Sequence, residues 1–135
     1  MDRIERLMAG KEFLPDSRLK VDYRDGTANV KFDGGRSQTV CIERARDGYV
    51  FTSIVLGTGR TEKLRKDLSN FVDRLWRRNR HTDVVNFTFD RENRLVGRIE
   101  HPANTLDAEE LFFYLSRVAI ECDRMEYVLT GENRF

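Results

Sequence analysis

The sequence predicts an α+β fold. It is an antiparallel sheet, made of a meander of three or four strands plus a hairpin, with helices packed on one face in the order α-β-β-β-α-β-β-α. Three observations carry this. Residues 83–101 alternate apolar and polar on both sides of a short polar stretch, the period of half-buried strands. Earlier alternating runs are joined by Asp25-Gly26 and Asp47-Gly48, dipeptides that favour tight turns. Helical apolar stripes precede and follow the hairpin.

The hairpin is the most sharply specified element. Val85, Phe87 and Phe89 alternate with Asn86 and Thr88, and Leu95, Gly97 and Ile99 alternate with Arg94, Arg98 and Glu100. A three-residue loop, Arg91-Glu92-Asn93, sets Phe89 opposite Leu95, Phe87 opposite Gly97 and Val85 opposite Ile99. Asn93 then takes the left-handed position such loops need. A two-residue loop would slip the register and set Phe89 beside Arg94, losing the apolar face.

Ahead of the hairpin, Ile4, Leu7 and Met8 share one face of a short helix that Gly10 ends. So short a helix must dock on something to persist. Strands follow at 19–24, 27–33, 38–46 and 49–56, the first being the weakest pattern. In the third, Val40, Ile42 and Arg44 fall on one side and Thr39, Cys41 and Glu43 on the other. Gly57-Thr-Gly-Arg-Thr then opens a helix in which Leu64, Leu68, Phe71, Val72, Leu75 and Trp76 form one stripe, with arginines gathered at its C-terminal end. After Pro102, Asp107 and Glu110 have capping-box spacing and Leu106 and Leu111 staple spacing. Leu111, Leu115, Val118, Cys122, Met125 and Leu129 make the inner stripe of the last helix. Phe113, Ile120 and Tyr127 lie on nearly the opposite side. One face suits the sheet. The other needs a second cover, either the N-terminal helix or another chain.

Length and composition bound the rest. The 135 residues fit one domain, 1–135, with a single core. Charged residues make up 35% of the chain, yet the balance is only +1, so total charge calls for neither nucleic acid nor a membrane. No run reaches the roughly 18 apolar residues that span a bilayer, and the first residues mix acids with bases and have no signal-peptide core. Cys41 and Cys122 read as small buried hydrophobes in a reducing cytoplasm, with nothing to support a disulfide.

Catalytic chemistry finds little footing. There is no nucleophile elbow and no local cysteine motif. His81 and His101 flank the hairpin, and the predicted register sets Asp83 facing His101, but two histidines without a third clear ligand read as a solvated pair and not as a metal or acid–base site. No cofactor is expected. The stretch around Gly57 lacks phosphate-loop spacing. It resembles the start of the last helix in double-stranded-RNA-binding domains, where Lys63, Arg65 and Lys66 would grip phosphates, but Glu62 and Asp67 interrupt the basic run. The alternative function is RNA or single-strand binding through the basic helix 61–80, using Lys63, Lys66, Arg74, Arg77 and Arg78. Trp76, placed on the core stripe, would be buried and poor at stacking.

The order of elements resembles the type III secretion chaperone-like fold, and within it the bacterial YbjN-like family. The resemblance is carried by LSNFVDRLWRRN leading into VVNFTFDRENRLVGRIEHP and then LDAEELFFYLSRVAIECDRMEYVL. It implies a dimeric protein-binding module without enzymatic activity. Secretion chaperones of this shape bind an unfolded effector segment along apolar surface. They are typically acidic, whereas this chain is near neutral, which leaves a general adaptor role. The expected partners are a second copy of the chain and another protein, with Phe113, Ile120 and Tyr127 as the contact stripe.

Overall fold

The computed structural model describes residues 2–67, 70–81 and 84–130. Its elements are α1 (Arg3–Met8), β1 (Lys20–Arg24), β2 (Thr27–Lys31), β3 (Ser37–Arg44), β4 (Tyr49–Leu56), α2 (Thr58–Asp67), α3 (Phe71–His81), β5 (Asn86–Phe89), β6 (Leu95–His101) and α4 (Ala108–Thr130). All strands join one six-stranded antiparallel sheet in the order β1-β2-β3-β4-β6-β5. The weakest predicted strand, β1, is paired along its length with β2.

Register explains why one face is dry. Val21 opposes Val30, Ala28 opposes Val40, Ile42 opposes Phe51, and Phe51 opposes Ile99. Each of these is buried. Because alternate residues point to opposite faces, such in-register pairs lay a continuous apolar layer across the sheet. The other face carries Thr39, Cys41, Glu43, Thr52 and Glu100. Cys41 is therefore exposed, contrary to the expectation that both cysteines are buried. It shares its parity with Thr39 and Glu43, on the wet side.

The turns follow their residues. Asp25 and Gly26 both have positive φ, 47° and 80°, as the tight β1–β2 hairpin requires. In the β5–β6 hairpin Phe89 pairs with Leu95 and Phe87 with Gly97, and Asn93 has φ 57°. The Asp90 carboxylate accepts from the Glu92 and Arg94 amides and from Arg94 Nε, which fastens the loop from inside.

The long helix expected between β4 and β5 is two helices. α2 ends at Asp67, and the first intrahelical bond of α3 runs from the Arg74 amide to the Asn70 carbonyl. An unbroken helix over 58–81 would run about 36 Å; the break lets α3 lie along the β5 edge instead. Phe71 and Leu75 are buried there, while Val72 and Trp76 are exposed. Trp76 is thus not a core residue, because the sheet ends at β5 and that side of α3 has no strand to face. Asn79 marks the edge: its side-chain amide donates to the Phe87 carbonyl at 2.7 Å and accepts from the Phe87 amide at 2.6 Å.

α4 lies across β2, β3, β4 and β6. Asp107 and Glu110 form the expected reciprocal cap, each backbone amide donating to the other's carboxylate. Leu111, Leu115, Val118, Cys122 and Met125 are buried against the sheet. The helix comes closest at Gly97, where a β-carbon would overlap Cys122 Sγ and press on Phe87 and Val85 at 3.3 Å.

Gly97→Ala should therefore cost about 1–3 kcal/mol through overpacking. Gly97→Ala combined with Cys122→Ala should recover a measurable part of that loss. Urea unfolding of the two single variants and the double variant supplies the coupling energy; strict additivity would show that the two residues do not compete for one space.

Candidate functional site

The outer side of α4 is built by the same periodicity that fixes its inner side. With Leu115, Val118 and Cys122 on the sheet, Phe113 and Tyr127 face away and are 42% and 58% exposed, while Ile120 is half-buried. Val128 adds to this surface at 71% exposure. The N-terminal segment does not cover Phe113 or Tyr127. Ile4 and Met8 enter the core, Arg3 Nε donates to the Leu106 carbonyl, and Lys11 stands 5.0 Å from the centre of the Phe112 ring. Farther along, Ser116 Oγ donates to Asp16 and is bonded to Ser17 Oγ. Residues before β1 thus run along the Phe112–Ser116 flank of α4, beside the outer stripe.

The other flank of α4 faces α3. Between them lies an open apolar groove of about 160 Å³. Phe71, Leu75, Met125 and Leu129 form its floor, and Arg74, Arg78 and Val128 its walls. Arg78 reaches Glu121 on α4 at 3.4 Å, and Arg117 and Arg124 share the same carboxylate at 2.9 and 3.4 Å.

The five basic residues predicted for nucleic acid do not form one face. Arg74 and Arg78 meet at the α3–α4 groove. Lys63 lines a separate cleft with Arg60, Asp67 and Thr130. Lys66 and Arg77 are exposed on their own helices. Trp76 is 62% exposed with the Arg80 guanidinium 5.1 Å from its ring. At about 100° per residue it lies roughly 200° around α3 from Arg74 and Arg78, on the far side from the groove.

His101 is committed to structure. Its Nε2 donates to the Thr105 carbonyl at 2.7 Å, so in the neutral ring Nδ1 accepts from Tyr114 Oη at 2.8 Å. The proposed partners Asp83 and the His81 side chain lie outside the described residues. Cys122 is wholly buried, and that burial pushes its thiol far above the ordinary range, the opposite of an activated nucleophile. On the open sheet face a shallow bowl is lined by Thr39, Cys41, Thr52, Ile54 and Val96, with Asp90 and Arg94 at its rim.

Sequence reasoning missed a buried polar row beneath α4. Ser53 Oγ lies 2.8 Å from both Gln38 Oε1 and the Thr39 carbonyl, and Gln38 Nε2 donates to Glu126 Oε1 at 3.5 Å. Glu126 is fully buried, and among the described residues its Oε2 has no hydrogen-bond partner. Burial pushes its carboxyl up to about 7; neighbouring Asp123 adds to the push and Arg60 opposes it. Asp123 itself lies 3.4 Å from Arg36. The inward parity of Gln38 with Val40 and Ile42 was the one available signal.

Among the described residues, no helix is long and apolar enough to cross a membrane. No protein-family model matches the chain, and no curated protein does. Among solved structures, a chain in the structure of the heterodimeric ExoU–SpcU complex from the type III secretion system of Pseudomonas aeruginosa is similar. It is 21% identical with a TM-score of 0.45, over 87% of this chain and 95% of that one.

The raised Glu126 carboxyl has a signed consequence. Between its ordinary value of 4.5 and about 7, the folded chain holds a proton that the unfolded chain has released. Stability should fall as pH rises through that window, and the full penalty is present above it. Glu126→Gln should flatten this slope in thermal melts taken from pH 4.5 to 8. A variant whose slope over that window equals that of the parent chain would count against the assignment.

Proposed function

We propose that the chain is a non-enzymatic protein-binding module, chaperone- or adaptor-like, which works in the cytoplasm by burying apolar surface of its helical layer. We further propose that it forms a homodimer through Phe113, Ile120 and Tyr127. The observation that carries this reading is that Phe113 and Tyr127 stand exposed, with Ile120 half-buried between them, on the outer side of a helix whose other side is already core. Single exposed apolar residues are ordinary, whereas apolar residues gathered on one face offer a partner apolar area to bury. Burial there contributes about 25 cal/mol per Å² before the costs of association. Kinship with the YbjN-like family belongs to the same proposal and rests on the residue pattern of the C-terminal half.

A second reading, single-strand nucleic-acid binding, draws on the exposed Trp76 beside Arg80. It also draws on the charge of residues 58–81, which hold eight Lys or Arg against three Asp or Glu. Its mark is affinity for an oligonucleotide that drops steeply with salt and is lost when Arg74, Arg77 and Arg78 are reversed. Binding that ignores those reversals would remove it.

For the dimer, sedimentation of the parent chain should give twice the chain mass. Ile120→Arg with Tyr127→Glu should give the single mass and still melt cooperatively, at the lower temperature that loss of the dimer entails. A monomeric parent, or a folded double variant that stays dimeric, would overturn the stripe assignment.

A further inference from the structure

We propose that the groove between α3 and α4 receives an acidic amphipathic segment of a partner protein, with one bulky apolar side chain seated in the groove and carboxylates beside it. This rests on the protein-binding reading and adds the chemistry of the partner. The floor is aromatic and aliphatic, from Phe71, Leu75, Met125 and Leu129. A space of about 160 Å³ is close to the roughly 150 Å³ that admits a benzene ring, so it suits a single Phe- or Leu-sized anchor. Grooves between helices commonly take such anchors from an amphipathic helix.

Charge selects the occupant. Glu121 is one carboxylate shared by three guanidiniums, those of Arg78, Arg117 and Arg124. Among the described residues, Arg74, which also lines the groove, has no carboxylate within 4 Å. The mouth of the groove therefore holds a positive excess around an apolar floor. A second copy would bring the same arginines face to face. A nucleic-acid strand would satisfy the arginines but not the floor, and Trp76, the exposed ring of α3, stands on the other side of that helix. An acidic segment with an apolar anchor satisfies both.

Random peptides displayed against the immobilised full-length chain should enrich for Asp and Glu flanking one Phe, Leu or Trp. The tightest enriched peptide, followed by fluorescence anisotropy, should lose at least tenfold in affinity to Arg74→Glu with Arg78→Glu. It should lose as much when its anchor is changed to Ala. Both arginines are exposed, and circular dichroism melts check that the variant stays folded. Arg91→Glu, a charge reversal on the exposed β5–β6 loop away from the groove, should bind the peptide normally. A selection without acidic bias, or a peptide indifferent to the charge reversal, would overturn the proposal. So would displacement of the peptide by a single-stranded oligonucleotide, or capture by a chain ending at Thr130 but not by the full chain. Loss of dimer in the stripe variant alongside any of these results leaves the protein-binding reading standing and this proposal fallen. Peptide binding as described, by a chain that sediments as a monomer, does the reverse for the stripe.

Discussion

The close approach of α4 to the paired residues Ser53 and Gly97, at the middle of the sheet, sets where the other helical parts can lie. Cys122 settles over that pair, its thiol 3.9 Å from the Ser53 carbonyl, because position 97 has no side chain. Once α4 sits that deep, its two flanks become walls. The Ser116 flank takes the segment before β1, and the Met125 flank takes α3. What remains is the side turned away from the sheet, which none of the described residues fully covers. The exposed row there is thus a geometrical result of a deep helix with apolar residues on two sides.

The same depth explains the polar row. A helix pressed onto the sheet along its length carries Glu126 under cover together with Gln38 and Ser53. A carboxyl in such a place stays proton-bound to higher pH, because the neutral acid loses less on leaving water than the ion does. Arg36 and Arg60 stand near this row and temper it, through Asp123 and Glu126 respectively.

How much could be read in advance depended on whether a residue's neighbours were local. The β5–β6 register, the left-handed Asn93 and the Asp107–Glu110 cap depend on residues a few positions apart, and each reads correctly from spacing alone. Trp76 did not, because its surroundings depend on where the sheet stops. Helical spacing places it on a stripe with Leu75, but β5 is the last strand and leaves that side of α3 facing water. Cys41 was misjudged by composition, although strand parity had already put it with Thr39 and Glu43. The arginine-walled groove was invisible for a further reason. Arg74 and Arg78 follow from α3, but Met125 and Val128 come from a helix some fifty residues later in the chain, and only the fold makes them one surface.

The amide of Asn79 bears on how this molecule can assemble. An outermost strand normally offers a free ladder to any passing chain. Here the outward amide and carbonyl of Phe87 are already taken, in a pairing that mimics one more rung of backbone. The sheet is closed off on the side where α3 lies, and a visiting strand cannot extend it there without peeling that helix away. Complexes formed beside α3 are then held by side chains, whose identity can be tuned residue by residue, and not by a shared β-ladder that accepts almost any sequence.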